Sequence, residues 1–233
     1  MKRPLLLAAG RDADVFALDD GRVLRRYRDG SDATVEAEVM RYVASHGYPV
    51  PEVFAASGPD LVMERVDGST MADAVQGGEL DVHGAGRMLA DLHDRLHEIP
   101  SRAHRTSGER VIHMDLHPLN VMVASRGPVV IDWCNARDGE PGLDVAMSAL
   151  ILAQVALVAA PPRALLARAI LESFVAAVEG DLSSSLPTAT ALRRSDANVT
   201  LAEAECLEEA ESLVRLLAAG GAAHKEVERR EAD

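Results

Sequence analysis

Hydrophobic and polar positions change their spacing partway along the chain. Up to Val66 the apolar residues come in short bursts: Leu5 to Ala9, Val15 to Leu18 and Arg22 to Tyr27 each read as a strand, and Asp19-Asp20-Gly21 before Arg22 predicts a hairpin turn. A polar stretch, Arg28 to Asp32, leads into a helical pattern in which Val35, Val39, Met40 and Val43 share one face and Gly47 supplies a stop. Val53 to Ala56 and Leu61 to Glu64 then flank Ser57-Gly58-Pro59-Asp60 as two further strands, and Asp67-Gly68 predicts a hinge.

Beyond Thr70 the period lengthens to that of a helix. Met88, Leu89, Leu92 and Leu96 fall on one face ahead of Pro100. The exception is Val111 to Asp132, where Val121-Met122-Val123 and Val129-Val130-Ile131 enclose Ser125-Arg126-Gly127-Pro128, a hairpin inside a helical region. Helices are expected again over about 143–159, 162–180 and 197–219, with the Ser-rich span Asp181 to Asp196 as a loop. The pattern predicts an α+β fold of two lobes: a small β-rich N-terminal lobe (1–66), a mostly helical C-terminal lobe (67–220) and a charged, disordered tail (221–233). A cleft at the hinge is where chemistry is expected.

Composition narrows the partners. Apolar residues make up 48% of the chain and aromatics 3%, so the core must be aliphatic. A formal charge of −13 argues against nucleic acid and anionic membranes as partners and favours a cationic small molecule. The longest apolar run, Val145 to Ala160, is interrupted by Gln154 and closed by Pro161 and Pro162, short of a bilayer span. Arg11 and Asp12 cut off the apolar run after Lys2 and Arg3 too early for a signal peptide, so a cytoplasmic protein is expected. Cys134 and Cys206 show no metal-ligand spacing and predict no disulfide scaffold. Oligomeric state leaves no trace in the pattern.

The chemistry-bearing stretch is His113-Met114-Asp115-Leu116-His117-Pro118-Leu119-Asn120, followed by Asp132 in Val130-Ile131-Asp132-Trp133. Phosphoryl transfer asks little covalent work of a protein: a carboxylate to take the hydroxyl proton, metal ions to neutralise phosphates, and positioning. A short loop joins Asp115 to Asn120, and the hairpin can fold Asp132 back beside Asn120; such oxygen donors suit magnesium. No Walker-type or G-x-G-x-x-G motif occurs.

The arrangement H-x-D-x-x-x-x-N with a downstream Asp resembles the kinase catalytic loop. Its wording, with Ile131-Asp132-Trp133-Cys134-Asn135-Ala136, Gly139-Glu140-Pro141-Gly142-Leu143-Asp144, Leu89-Ala90-Asp91-Leu92-His93 and Tyr48-Pro49-Val50-Pro51-Glu52-Val53, resembles the aminoglycoside phosphotransferase and choline kinase branch over most of 5–160. The resemblance implies a protein-kinase-like fold, ATP and Mg2+ as cofactors, and a small-molecule hydroxyl acceptor, such as an aminoglycoside, another cationic antibiotic or an amino alcohol. GTP fits as well as ATP, because hinge contacts through the backbone leave no side-chain signature. Asp115 would be the general base, and Asn120 and Asp132 the magnesium ligands. Arg25, with Arg26 as the neighbouring register, would meet the nucleotide phosphates with Glu36 as its helix partner, and the hinge including Glu64 and Val66 would meet the base. His113 and His117 would support the site, and Asp144 would anchor the loop through backbone N–H groups.

Three departures from that branch stand out. Gly10-Arg11-Asp12-Ala13-Asp14 is glycine-poor for a phosphate-covering loop, Arg25 replaces a lysine, and the helical half is short, which leaves the acceptor site less enclosed. Two other readings follow from the residues. The first two departures suit a nucleotide-binding module without turnover. His113, Asp115 and His117 alternate, so on an extended strand they could form a metal-dependent hydrolase site, although Asn120 and Asp132 would then have no role. Arg25 and Glu36 also read as surface charges, His93 and His97 as core histidines with metal-like spacing, and Glu203, Glu205, Glu208, Glu209 and Glu211 as a solvated face or an acidic wall for a cationic acceptor.

Overall fold

The computed structural model describes residues 5–10, 12–19, 21–103, 108–196 and 198–232, with side chains up to Gly220. The basic start Met1 to Pro4, and Arg11 and Asp20 in two of the expected turns, lie outside the described residues.

β1 (Leu5–Ala9), β2 (Ala13–Ala17), β3 (Arg22–Tyr27), β4 (Val53–Ser57) and β5 (Asp60–Glu64) form a five-stranded antiparallel sheet in the order β1-β2-β3-β5-β4. Period-two alternation on β3 buries Val23, Arg25 and Tyr27 and leaves Arg22 and Arg26 exposed. α1 (Thr34–Ser45) lies between β3 and β4 in the chain and buries Glu36, Ala37, Val39, Met40 and Val43. Its end is marked by Gly47, whose φ of 78° a residue with a Cβ rarely adopts.

The connector to the helical lobe passes close to the hairpin that contains Val123. Gly68 has φ 143°, and a Cβ there would stand 2.2 Å from the Val123 carbonyl oxygen, so the crossing requires glycine. β6 (Ser69–Thr70) then pairs with β8 (Val121–Ala124), which pairs with β9 (Gly127–Val130), while β7 (Arg110–Ile112) pairs with β10 (Arg137–Gly139). The hairpin expected around Ser125 is present, whereas β6, β7 and β10 were not foreseen: at two or three residues, none is long enough to show a period.

Helices surround these short ladders: α2 (Met71–Gln76), α3 (Val82–His97), α4 (Pro141–Val158), α5 (Arg163–Ala177), α6 (Leu182–Ser195), α7 (Leu201–Glu205) and α8 (Leu207–Ala232). Asp81 caps α3 by accepting from His83 N and Gly84 N. A Cβ on Gly86 would meet Phe174 N at 2.6 Å, so α3 and α5 pack backbone against backbone there.

One expectation is corrected. The Ser-rich span 181–196 is helix α6, capped by Asp181; Leu182, Leu186, Ala189, Thr190 and Arg193 are buried at helical spacing, and that packing overrides the weak propensity of the serines and Pro187. The backbone of α8 runs in helical conformation to Ala232, in keeping with its Ala, Glu, Lys and Arg content. α4 has the length and hydropathy of a bilayer span, but 61% of it is buried, and it carries buried Asp144, Ser148 and Gln154, each with a polar partner inside the protein. It is built as the central helix of this lobe.

Candidate active site

Residues 113–120 form the loop between β7 and β8, and a buried carboxylate fixes its first turn. Asp144, in the first turn of α4, accepts Met114 N at 2.7 Å on Oδ1 and His113 N at 3.0 Å on Oδ2, and is fully buried. Met114 sits at φ 68°, a left-handed conformation that costs a non-glycine residue about 1–3 kcal/mol and needs such an anchor. Burial opposes the Asp144 charge, but His93 and His97 outweigh it and hold the carboxyl well below the usual carboxylate range. His97 Nε2 lies 3.0 Å from Oδ2, within hydrogen-bond reach, and His93 Nδ1 lies 3.5 Å away. Among the described residues these three form a group with the spacing of metal ligands. Because Oδ2 is already shared by His113 N and His97, the group works as a brace for the loop.

His113 is completely buried, and burial pushes its pKa down. Its Nδ1 accepts Asp115 N at 3.2 Å, which leaves Nε2–H to donate to Ile131 O at 3.1 Å, the pattern of a neutral imidazole. With both ring nitrogens occupied, His113 has no lone pair for a metal, and the alternating His113, Asp115 and His117 set does not assemble as a ligand group. His117 Nδ1 accepts Leu119 N at 3.3 Å, and Nε2 faces Asp115 Oδ1 at 3.5 Å.

Asp115 is held at the cleft with a quarter of its side chain exposed. Burial, joined by the charge of Asp132, pushes its carboxyl up to about 6, against the opposing pull of His113 first and then of Arg193 and the Asn120 amide. Asn120 Nδ2 donates to Asp115 O at 2.8 Å and to Asp115 Oδ2 at 3.1 Å, which leaves the amide oxygen for a cation. Ile131 N donates to Asn120 O at 3.0 Å, so the strand leading to Asp132 is tied to the end of the loop.

Asp132, at φ 64°, turns its carboxylate toward the strand-rich lobe, where Arg25 Nη2 donates to Oδ1 at 2.6 Å. Arg25 Nη1 meets Glu36 Oε1, and the same oxygen accepts Trp133 N at 3.0 Å. Arg25 rather than Arg26 therefore reaches this cluster; Arg26 is exposed and pairs with Asp60 at 2.6 and 2.5 Å. Burial opposes the Arg25 charge, and Glu36 and Asp132 more than offset it. The Cys134 thiol beside Asp132 is pushed up by burial first and by that carboxylate second. Glu64 directs its carboxylate to Arg126 Nη2 at 2.9 Å and to Glu52 N at 3.1 Å, a bridge from β5 to the β8–β9 turn, and Val66 is half-buried in the connector.

Four contributors are not marked by the sequence motifs. Tyr27, two positions beyond Arg25 on the same strand face, hydrogen-bonds both Arg25 and Glu36; that period-two spacing was a usable signal. His93 and His97 were read as core histidines and serve Asp144. Arg193, on the helix expected to be a loop, donates through Nε to Gln154 Oε1 at 2.8 Å and exerts its field on Asp115. Its Nη2 lies 3.8 Å from Glu203, so that glutamate faces inward while Glu205, Glu208 and Glu209 are solvent-exposed.

The oxygen set of Asn120 and Asp132 fits a hard divalent cation, and the guanidinium on Asp132 Oδ1 shows that a cation is accommodated there. Comparison with solved structures places the fold among small-molecule kinases. An amicoumacin kinase in complex with AMP-PNP, Ca2+ and Ami matches with TM-score 0.54 and 13% identity over 91% of this chain and 87% of that one. A choline/ethanolamine kinase family protein from Mesorhizobium loti matches with TM-score 0.55 and 13% identity over 97% and 87%. An aminoglycoside 2'-phosphotransferase in its GDP complex gives TM-score 0.53 and 13% identity over 97% and 91%. The TM-scores establish a shared kinase-like fold. A comparison with curated proteins gives no match. The family model for the phosphotransferase enzyme family matches residues 5–110 and 101–179, and the chain therefore belongs to that family.

Proposed function

We propose that the protein transfers the γ-phosphoryl group of ATP to a hydroxyl of a small molecule, with magnesium held by Asn120 and Asp132. The observation that carries this reading is the junction of Asp115, Asn120 and Asp132: Asn120 bonds Asp115 directly, and the field of Asp132 is felt at Asp115. Asp115 would accept the proton of the acceptor hydroxyl as its oxygen bonds to the γ-phosphorus and the bond to the β–γ bridging oxygen breaks, releasing ADP. Bound magnesium would offset negative charge on the phosphates. His113 and Asp144 would keep the base in place, and Arg25 would grip a phosphate oxygen. Glu64 and Val66 would meet the nucleotide base through their backbone, which admits GTP as well as ATP.

In this reading residues 1–66 serve the nucleotide and residues 67–220 serve chemistry and the acceptor. The acceptor class proposed is a hydroxylated cation, an aminoglycoside-like antibiotic or an amino alcohol, supported by the charge of −13. A coupled assay of nucleotide turnover against a panel of hydroxylated cations and sugars tests it. Acceptor-dependent ADP release that vanishes in Asp115→Ala is expected; binding of Mg·ATP with no transfer to any panel member would instead favour the module without turnover.

A further inference from the structure

Arg25 reaches two carboxylates in different lobes, Glu36 and Asp132, and Tyr27 is packed to control how it does so. The Tyr27 ring lies under the guanidinium at 4.9 Å from its centroid, and Tyr27 is buried. Its hydroxyl accepts Arg25 Nη1 at 3.2 Å and donates to Glu36 Oε2 at 2.6 Å. The two Glu36 oxygens are thereby divided: Oε1 takes Arg25 Nη1 and Trp133 N, and Oε2 takes Tyr27. Nη1 is committed within the strand-rich lobe. Nη2 reaches across to Asp132 Oδ1, on the carboxylate that would hold a divalent cation.

We propose that Tyr27 is a positioning residue that pins one arm of the Arg25 fork to Glu36, so that the other arm is the exchangeable one. In the nucleotide-free protein that arm holds Asp132. When a metal–nucleotide arrives, the arm passes from the carboxylate to a phosphate oxygen without the guanidinium leaving its seat. A lysine at position 25 would have one nitrogen to serve all of these partners, so the division of labour belongs to the arginine and its tyrosine together. The inference rests on the phosphotransferase reading.

A double-substitution cycle tests it: calorimetric binding of AMP-PNP at graded magnesium to the unmodified chain, Tyr27→Phe, Arg25→Lys and the double variant, with melting temperatures of each nucleotide-free protein. Tyr27→Phe keeps the ring and removes the hydroxyl, and should weaken nucleotide binding about three- to tenfold. In the Arg25→Lys background the same substitution should change binding less than about twofold, because the two act as one unit. Equal losses in both backgrounds, tracking the melting temperature, would mean that the hydroxyl only supports the fold and would overturn the proposal. If Tyr27→Phe folds poorly, Tyr27→His, which retains a ring and a donor, should bind better than Tyr27→Leu; equal binding by those two variants also overturns it. Absence of magnesium-dependent nucleotide binding in the unmodified chain would instead remove the phosphotransferase reading itself.

Discussion

The two sides of the cleft are held together by different means. On the side of the helical lobe, Asp144 fixes the loop through backbone N–H groups at 2.7 and 3.0 Å, and its charge is met by histidines that have no other task in the site. On the side of the strand-rich lobe, Asp132 is held by a side chain, Arg25. A proton acceptor works only from a fixed position, whereas a metal ligand must surrender its resting partner when the ion arrives. Under the proposed function the two kinds of contact would divide along these lines.

The largest expected effect bears on the fixed side. Asp115→Ala should lower turnover about 10²–10⁴-fold, the usual share of a general base, while leaving Mg·AMP-PNP binding intact by calorimetry. Turnover near the original rate would remove Asp115 from the chemistry. Asp144→Ala should destabilise the protein by about 3–5 kcal/mol in urea unfolding, since it strands the buried N–H donors of His113 and Met114 and leaves His97 without its partner. If the loss is no more than about 1 kcal/mol, the loop is held by something else and the contrast between the two sides fails.

On the exchangeable side, Asp132→Ala should abolish the magnesium dependence of nucleotide affinity; affinity that still rises with magnesium would assign the ion to other ligands. A smaller effect concerns pH. The Asp115 carboxyl, raised to about 6 by burial, must be ionised to accept a proton, so kcat/KM should fall as pH drops through about 6. Bound magnesium favours the ionised form, so the kcat limb should lie at lower pH; an acid limb for kcat above that for kcat/KM would contradict this placement of the ion. The smallest effect is expected at the exposed bridge from Glu64 to Arg126: Arg126→Ala should change stability by no more than about 1 kcal/mol.

Much of this was legible in the residues. The alternation on β3 and the helical stripe of α1 specify their elements locally, and both are observed where their spacing places them. The loop from His113 to Asn120 could be read because a tight turn and a hairpin bring near neighbours together. α6 could not be read in the same way: its serines and Pro187 argue locally for a loop, and only burial of Leu186 and Arg193 settles the matter. The short strands β6, β7 and β10 owe their existence to partners 25 to 54 residues away.

Sequence alone determined the order of strands and helices over most of the chain and which residues the candidate site would draw on, because periodicity and motif spacing are properties of neighbouring residues. The tertiary structure decided which arginine reaches Asp132, which histidines lie against Asp144, and which helix places Arg193 within electrostatic reach of Asp115. Those partnerships join residues up to 107 positions apart, and no local pattern encodes the packing that brings such residues into contact.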